Sequence, residues 1–152
     1  RFTQSGISRK IKMIMATQKI TFSLSNSLSE LERLSERLSL IGEKWSLPGK
    51  IILQLNLALD ELFTNVVSYG LENESDQEVH FTIARREDEI EIVVSDGGRR
   101  FDPTQPPDPD LNLPLDDQPV GGLGIFLMRQ YTDNIEYRRE NDKNIVTLTK
   151  KI

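Results

Sequence analysis

The sequence predicts an α/β two-layer sandwich, a mostly antiparallel mixed sheet with helices on one face. Three observations predict it. Apolar residues alternate with polar ones in short runs such as Ile20, Phe22, Leu24, then Val79, Phe81, Ile83, then Ile90, Ile92, Val94, the period of half-buried strands. Two longer runs repeat apolar residues every three or four positions, the period of amphipathic helices. Their order is strand, two helices, hairpin, long loop, helix, final hairpin. The chain has 152 residues, the size of one domain that can bury a core without staples.

The elements follow in order. Residues 1–17 include Arg9-Lys10-Ile11-Lys12-Met13-Ile14-Met15, basic at the start but without the longer apolar core and cleavage site of a signal peptide. They are expected to be a cloning scar or a disordered N-terminal extension, with the domain over 18–152. Gln18 to Leu24 is the first strand. Ser27-Leu28-Ser29-Glu30 reads as a capping box, and Leu28, Leu31, Leu34, Leu38, Ile41 and Trp45 form the inner stripe of the helix it opens. Gly42 and Ser46-Leu47-Pro48 break that helix, with Ser46 as the next cap and Pro48 in the first turn. The second helix runs from about Gly49 to Tyr69 on Ile52, Leu55, Leu59, Leu62 and Val66, and Gly70 ends it as a left-handed cap. Arg86-Glu87-Asp88 joins the central hairpin. From Phe101 to Val120 the chain carries Pro103, Pro106, Pro107, Pro109, Pro114 and Pro119, which excludes helix and central strand. A short helix follows through Tyr131. Two strands close the chain around Asn141-Asp142-Lys143-Asn144.

Composition narrows the chemistry. The chain has no cysteine and one histidine, His80, so thiolate and His-based zinc sites and a cysteine nucleophile are excluded. The net charge of -5 disfavours nucleic acid. No apolar run reads as long enough to span a bilayer, and the expectation is a cytoplasmic protein with no membrane partner.

Three places carry chemistry. Glu61 and Asn65 lie four apart on one face of the second helix, an acid able to polarise a nucleophile beside an amide oxygen able to bind Mg²⁺. Asp96-Gly97-Gly98 ends a strand, where a carboxylate can accept from an exocyclic amine and glycine lets a flat base approach. Gly121-Gly122-Leu123-Gly124 opens a helix, where free N–H groups suit phosphate. Singly, the first reads more readily as a polar helix edge and the second as a tight turn, and the third also reads as a flexible hinge.

In this order and spacing the three resemble the GHKL ATPases, the group with the Bergerat or histidine-kinase-like ATPase fold. Glu61-Leu62-Phe63-Thr64-Asn65 looks like the N box, Asp96-Gly97-Gly98 like the first glycine box, and Gly121 to Gly124 like the second, with the mobile ATP lid between. Leu57 to Asn65, Phe101-Asp102-Pro103 and Gly122-Leu123-Gly124-Ile125 resemble more narrowly the bacterial anti-sigma-factor serine/threonine kinases. The resemblance covers nearly all of the chain after about residue 17. It implies Glu61 as general base, Asn65 as Mg²⁺ ligand, Asp96 on the adenine amino group, Gly98 giving the base access, and Gly122 and Gly124 closing the lid over ATP. Arg100 stands where many members have glycine, a departure that bears on the lid. A histidine kinase would need a phosphoacceptor histidine on the first helix, which has none.

The resemblance therefore implies a Mg-ATP-dependent serine/threonine kinase. Its substrate would be an anti-anti-sigma antagonist of the STAS type, and its sequestered target a sigma factor or comparable regulator. A homodimer is expected on the same ground. The alternative is a non-catalytic ATP-binding module that controls a partner through nucleotide state.

Overall fold

The computed structural model describes residues 18–72, 74, 76–105 and 123–152. The expectations for residues 1–17, for most of the proline-rich segment and for Gly121 and Gly122 lie outside the described residues. Strand β1 is Gln18–Ser25, helix α1 is Leu31–Lys44 and helix α2 is Gly49–Asn65. The central hairpin is β2, Glu78–Arg85, and β3, Glu89–Asp96. Helix α3 is Leu123–Tyr131, and the last hairpin is β4, Asn134–Glu140, and β5, Lys143–Lys151.

The sheet order is β1-β2-β3-β5-β4. All four pairings are antiparallel, so the α/β sandwich is as expected while the sheet is wholly antiparallel rather than mixed. The alternation decides which face is inside. Leu24, Val79, Phe81, Ile83, Ile90, Ile92, Val94, Val146 and Leu148 are buried against Leu34, Leu38, Leu55, Leu59, Leu62, Phe63 and Met128 of the helices. Phe81 stacks on Phe22 at 4.9 Å between centroids. Each such side chain, fully buried, contributes about 1.5–3 kcal/mol of transfer free energy. Their polar neighbours in sequence face away from the helices, which makes a two-layer sandwich with one helical face.

Several local expectations are corrected. Ser27 caps as expected, accepting from Ser29 N–H at 3.3 Å. The first turn, Leu28–Glu30, is a 3-10 turn, and Glu30 does not reach back to the Ser27 N–H. That group already donates to Ser25 O at 2.8 Å, and the Glu30 carboxylate accepts from the Ser25 hydroxyl at 2.7 Å. This bond is the main reason the Glu30 pKa is lowered, with Arg33 adding to it. Gly42 lies inside α1 rather than breaking it. Ser46 does not cap α2, whose N-cap is Pro48 without a side-chain bond. It instead terminates α1 at φ 51°, with Ser46 N–H on Glu43 O at 3.2 Å and Leu47 N–H on Gly42 O at 2.9 Å, the Schellman pattern.

Helix α2 does not end at a left-handed glycine, since no described glycine has positive φ. It widens into a π-helical turn, Val66–Gly70, closed by Leu71 N–H on Val66 O at 2.8 Å. Gly70 is needed for a different reason: a Cβ there would sit 2.7 Å from Phe101 Cδ1. The continuous helical span Gly49–Gly70 has 22 residues and contains an 18-residue window of mean hydropathy 1.2, which by length and composition alone reaches that of a bilayer crossing. This corrects the sequence expectation. Its buried residues serve the core here, packed on the sheet and between α1 and α3.

Candidate functional site

Helix α2 presents Glu61 and Asn65 one turn apart, both half-buried at the border of the stripe made by Ala58, Leu59, Leu62 and Phe63. Burial raises the Asp60 pKa above its ordinary value, and the adjacent Glu61 charge raises it further. Asn56 Nδ2 approaches Asp60 Oδ2 at 3.5 Å, while Oδ1 of each is buried without a partner. Asn65 Nδ2 points to Pro103 O at 3.5 Å, at the outer limit of a hydrogen bond. Its Oδ1 makes no hydrogen bond among the described residues.

Asp96 closes β3 and is 6% exposed. Its Oδ1 accepts from Gly98 N–H at 2.9 Å and from Asn144 Nδ2 at 3.0 Å. The other oxygen, Oδ2, has no hydrogen bond among the described residues. A buried carboxylate held by one oxygen presents the second as an acceptor for a ligand donor. Asn144, 2% exposed, fixes this arrangement. Its amide also donates to Arg99 O at 2.7 Å, and its Oδ1 accepts from Phe101 N–H at 3.1 Å and Tyr137 OH at 2.7 Å. Burial raises the Tyr137 pKa, which keeps the phenol a donor to Asn144.

Gly98 is buried beneath Leu71 and Glu74. A Cβ there would meet Leu71 Cδ2 at 2.4 Å, Glu74 Oε2 at 2.7 Å and Asp96 Oδ1 at 3.0 Å, so no larger residue fits without displacing the groups around it. Arg139 donates to Gly98 O at 2.7 Å and holds the turn from the β4 edge. The basic pair after it divides. Arg99 donates to Tyr69 O at the end of the π-helical turn and lies 6.0 Å over the Phe101 ring. Arg100 is exposed. The chain then turns at Asp102, whose Oδ1 accepts from Thr104 N–H at 2.9 Å and from its hydroxyl at 2.6 Å.

The structure thus brings Asn65, Asp96 and Gly98 to one end of the sandwich, tied through Phe101 and Pro103. Glu61 lies one turn back on α2. Gly124 is the second residue of α3, which packs along α2. Sequence reading missed Asn144, Glu74 and Arg139. Asn144 was assigned to the last turn, but the turn is Asn141-Asp142 alone, with φ of 51° and 59°. The available signal was phase: Asn144, Val146 and Leu148 share the inward face of β5. His80 lies on the exposed face of β2, hydrogen-bonded to Ser23 Oγ at 2.7 Å, away from this site.

Comparison with known proteins finds similarity over most of the chain. The family model described as a histidine kinase-like ATPase domain matches residues 24–150. The serine/threonine-protein kinase BtrW of Bordetella bronchiseptica is 33% identical over 109 residues, covering 72% of this chain and 75% of that protein. The serine-protein kinase RsbW of Listeria monocytogenes is 32% identical over 120 residues, covering 76% and 75%. A solved structure of RsbU and RsbW domains from Mycobacterium tuberculosis superposes with a TM-score of 0.62 at 14% identity. It covers 88% of this chain, which spans 32% of that longer one, and it speaks to the fold alone.

Proposed function

The chain belongs to the histidine kinase-like ATPase domain family, the GHKL ATPases, close to the anti-sigma-factor kinases, and from that premise we propose that it transfers the γ-phosphoryl group of ATP to a serine or threonine of an antagonist protein. The observation that carries this reading is the half-satisfied carboxylate of Asp96 beside Gly98. An acceptor without a hydrogen bond among the described residues, next to a residue without a side chain, fits an aminated base. Asn65 fits a hard cation, because its amide oxygen is uncommitted among the described residues and such ions take neutral oxygen ligands. Mg²⁺ bound there supplies charge neutralisation for the phosphates.

The protein's own groups then have defined work. Asp96, fixed by Asn144 and the Gly98 N–H, orients the base. In this reading Gly122 and Gly124 are the glycines that let the lid close over the phosphates. Glu61 receives the proton of the attacking hydroxyl as its oxygen bonds to the γ-phosphorus and the bond to the β-phosphate bridging oxygen breaks. In the full reading the substrate is an anti-anti-sigma protein of the STAS type. The unphosphorylated antagonist displaces a sigma factor or comparable target from a cytoplasmic homodimer of this chain.

The test is transfer of label from γ-labelled ATP and Mg²⁺ into a dialysed lysate of the source organism, with wild-type protein and with Glu61→Ala. One acid-stable labelled band, reduced at least about 100-fold in rate by Glu61→Ala, is the expected result. Absence of a Glu61-dependent band, together with an ATP-induced thermal shift, would replace the kinase with a nucleotide-sensing module.

A further inference from the structure

One carboxylate beside Asp96 has no role so far. Glu74 lies in the connection between α2 and β2, yet its backbone is tied on both sides. Its N–H donates to Leu71 O at 3.1 Å, and its carbonyl accepts from Asn26 Nδ2 at 2.9 Å and from Gln77 N–H at 3.1 Å. Asn26 also holds Leu71 O at 2.8 Å. The backbone at Glu74 is therefore fixed, and the side chain lies over Gly98. Its Oε2 is buried with no hydrogen-bond partner among the described residues. It lies 2.7 Å from the point a Cβ on Gly98 would occupy, with Leu71 Cδ2 at 2.4 Å and Asp96 Oδ1 at 3.0 Å from that same point.

Two carboxylates thus converge over one glycine: Asp96 Oδ1 already accepts from Gly98 N–H and Asn144 Nδ2, while Glu74 Oε2 has no donor among the described residues. Leaving a buried carboxylate oxygen unpaired is costly, and bringing a second carboxylate near adds repulsion. An arrangement of this kind is relieved by a ligand that brings N–H donors. A 6-aminopurine has two N–H bonds on one nitrogen. A 6-oxopurine presents a lone-pair oxygen in the same place, which two carboxylates repel.

We propose that Glu74 is a specificity-determining residue of the nucleotide pocket: with Asp96 it forms a two-carboxylate receptor for the exocyclic amine, selecting ATP over 6-oxopurine triphosphates. This rests on the reading of the Asp96 pocket as the base site. Asp96 supplies the anchor, and Glu74 supplies the penalty against an oxo group.

The experiment is calorimetric titration of wild type, Glu74→Gln, Glu74→Ala and Asp96→Asn with ATP and with inosine triphosphate, which differ at the 6-position and in the hydrogen that inosine carries on N1. Glu74→Gln keeps size and can turn an amide N–H toward an oxo group. Thermal unfolding without nucleotide checks that each variant is folded, and Glu74→Gln carries the test should the alanine variant fail to fold. Wild type is expected to prefer ATP. Glu74→Gln lowers the ATP-to-inosine-triphosphate affinity ratio by about tenfold or more, part of it through tighter binding of inosine triphosphate. An unchanged ratio in the Glu74 variants, with ATP binding still lost in Asp96→Asn, overturns the role of Glu74 and leaves the base site standing. Wild type that binds neither nucleotide overturns both readings.

Discussion

Asn144 shows how much of this site depends on one side chain that never needs to touch a ligand. It joins Asp96, Arg99, Phe101 and Tyr137, so its removal leaves several buried donors and acceptors without partners. Asn144→Ala is expected to cost about 3 kcal/mol of stability by urea unfolding, because unpaired buried groups keep their desolvation penalty. Tyr137→Phe, which removes one donor only, is expected to cost about 1 kcal/mol in the same measurement. Asp96 and Gly98 were legible from the sequence because a polar residue and glycines after an apolar strand are a local signal. Asn144 was not, because Asn beside Asn141-Asp142 reads as turn until the register pairs it with Asp96. Glu74 gave no signal at all, since an acid in a polar loop is ordinary and only the approach to Gly98 singles it out.

At the scale of elements, periodicity located every described helix and strand, while the ends were decided by hydrogen bonds. Ser46 is the clearest instance. A serine before proline reads as a helix start, yet it closes the preceding helix at φ 51°, a conformation that costs an L-residue roughly 1–2 kcal/mol relative to glycine. Ser46→Gly is therefore expected to raise stability by about 0.5–1 kcal/mol, read as a shift of the urea midpoint at unchanged slope. The π-helical turn at Val66–Gly70 was equally hidden. Its widened ladder carries the chain from Asn65 to Leu71, and π-turns recur at functional sites. The final turn was half legible: Asn141 and Asp142 both have positive φ, the pair a two-residue antiparallel turn prefers.

Over the whole molecule, the insertion of β5 between β3 and β4 is what sets Asn144 opposite Asp96 and closes the base end of the site. A ligand that binds only the folded chain must stabilise it. ATP at 100 times its dissociation constant is expected to add about 2.7 kcal/mol, a rise of several degrees in Tm, and Asp96→Asn is expected to abolish that rise. The sequence by itself determined the two-layer architecture, the elements and the family. Apolar period, glycine and proline are local, and the spacing of Glu61, Asn65, Asp96, Gly98, Gly122 and Gly124 is a property of the chain alone. Only the tertiary structure decided which carboxylate oxygen is free and what holds the other, because a hydrogen bond between residues 48 positions apart, as between Asp96 and Asn144, exists only once the strands have paired. It also decided that Glu74 faces Gly98, because that contact is made by the absence of a side chain at one residue and the backbone ties of another.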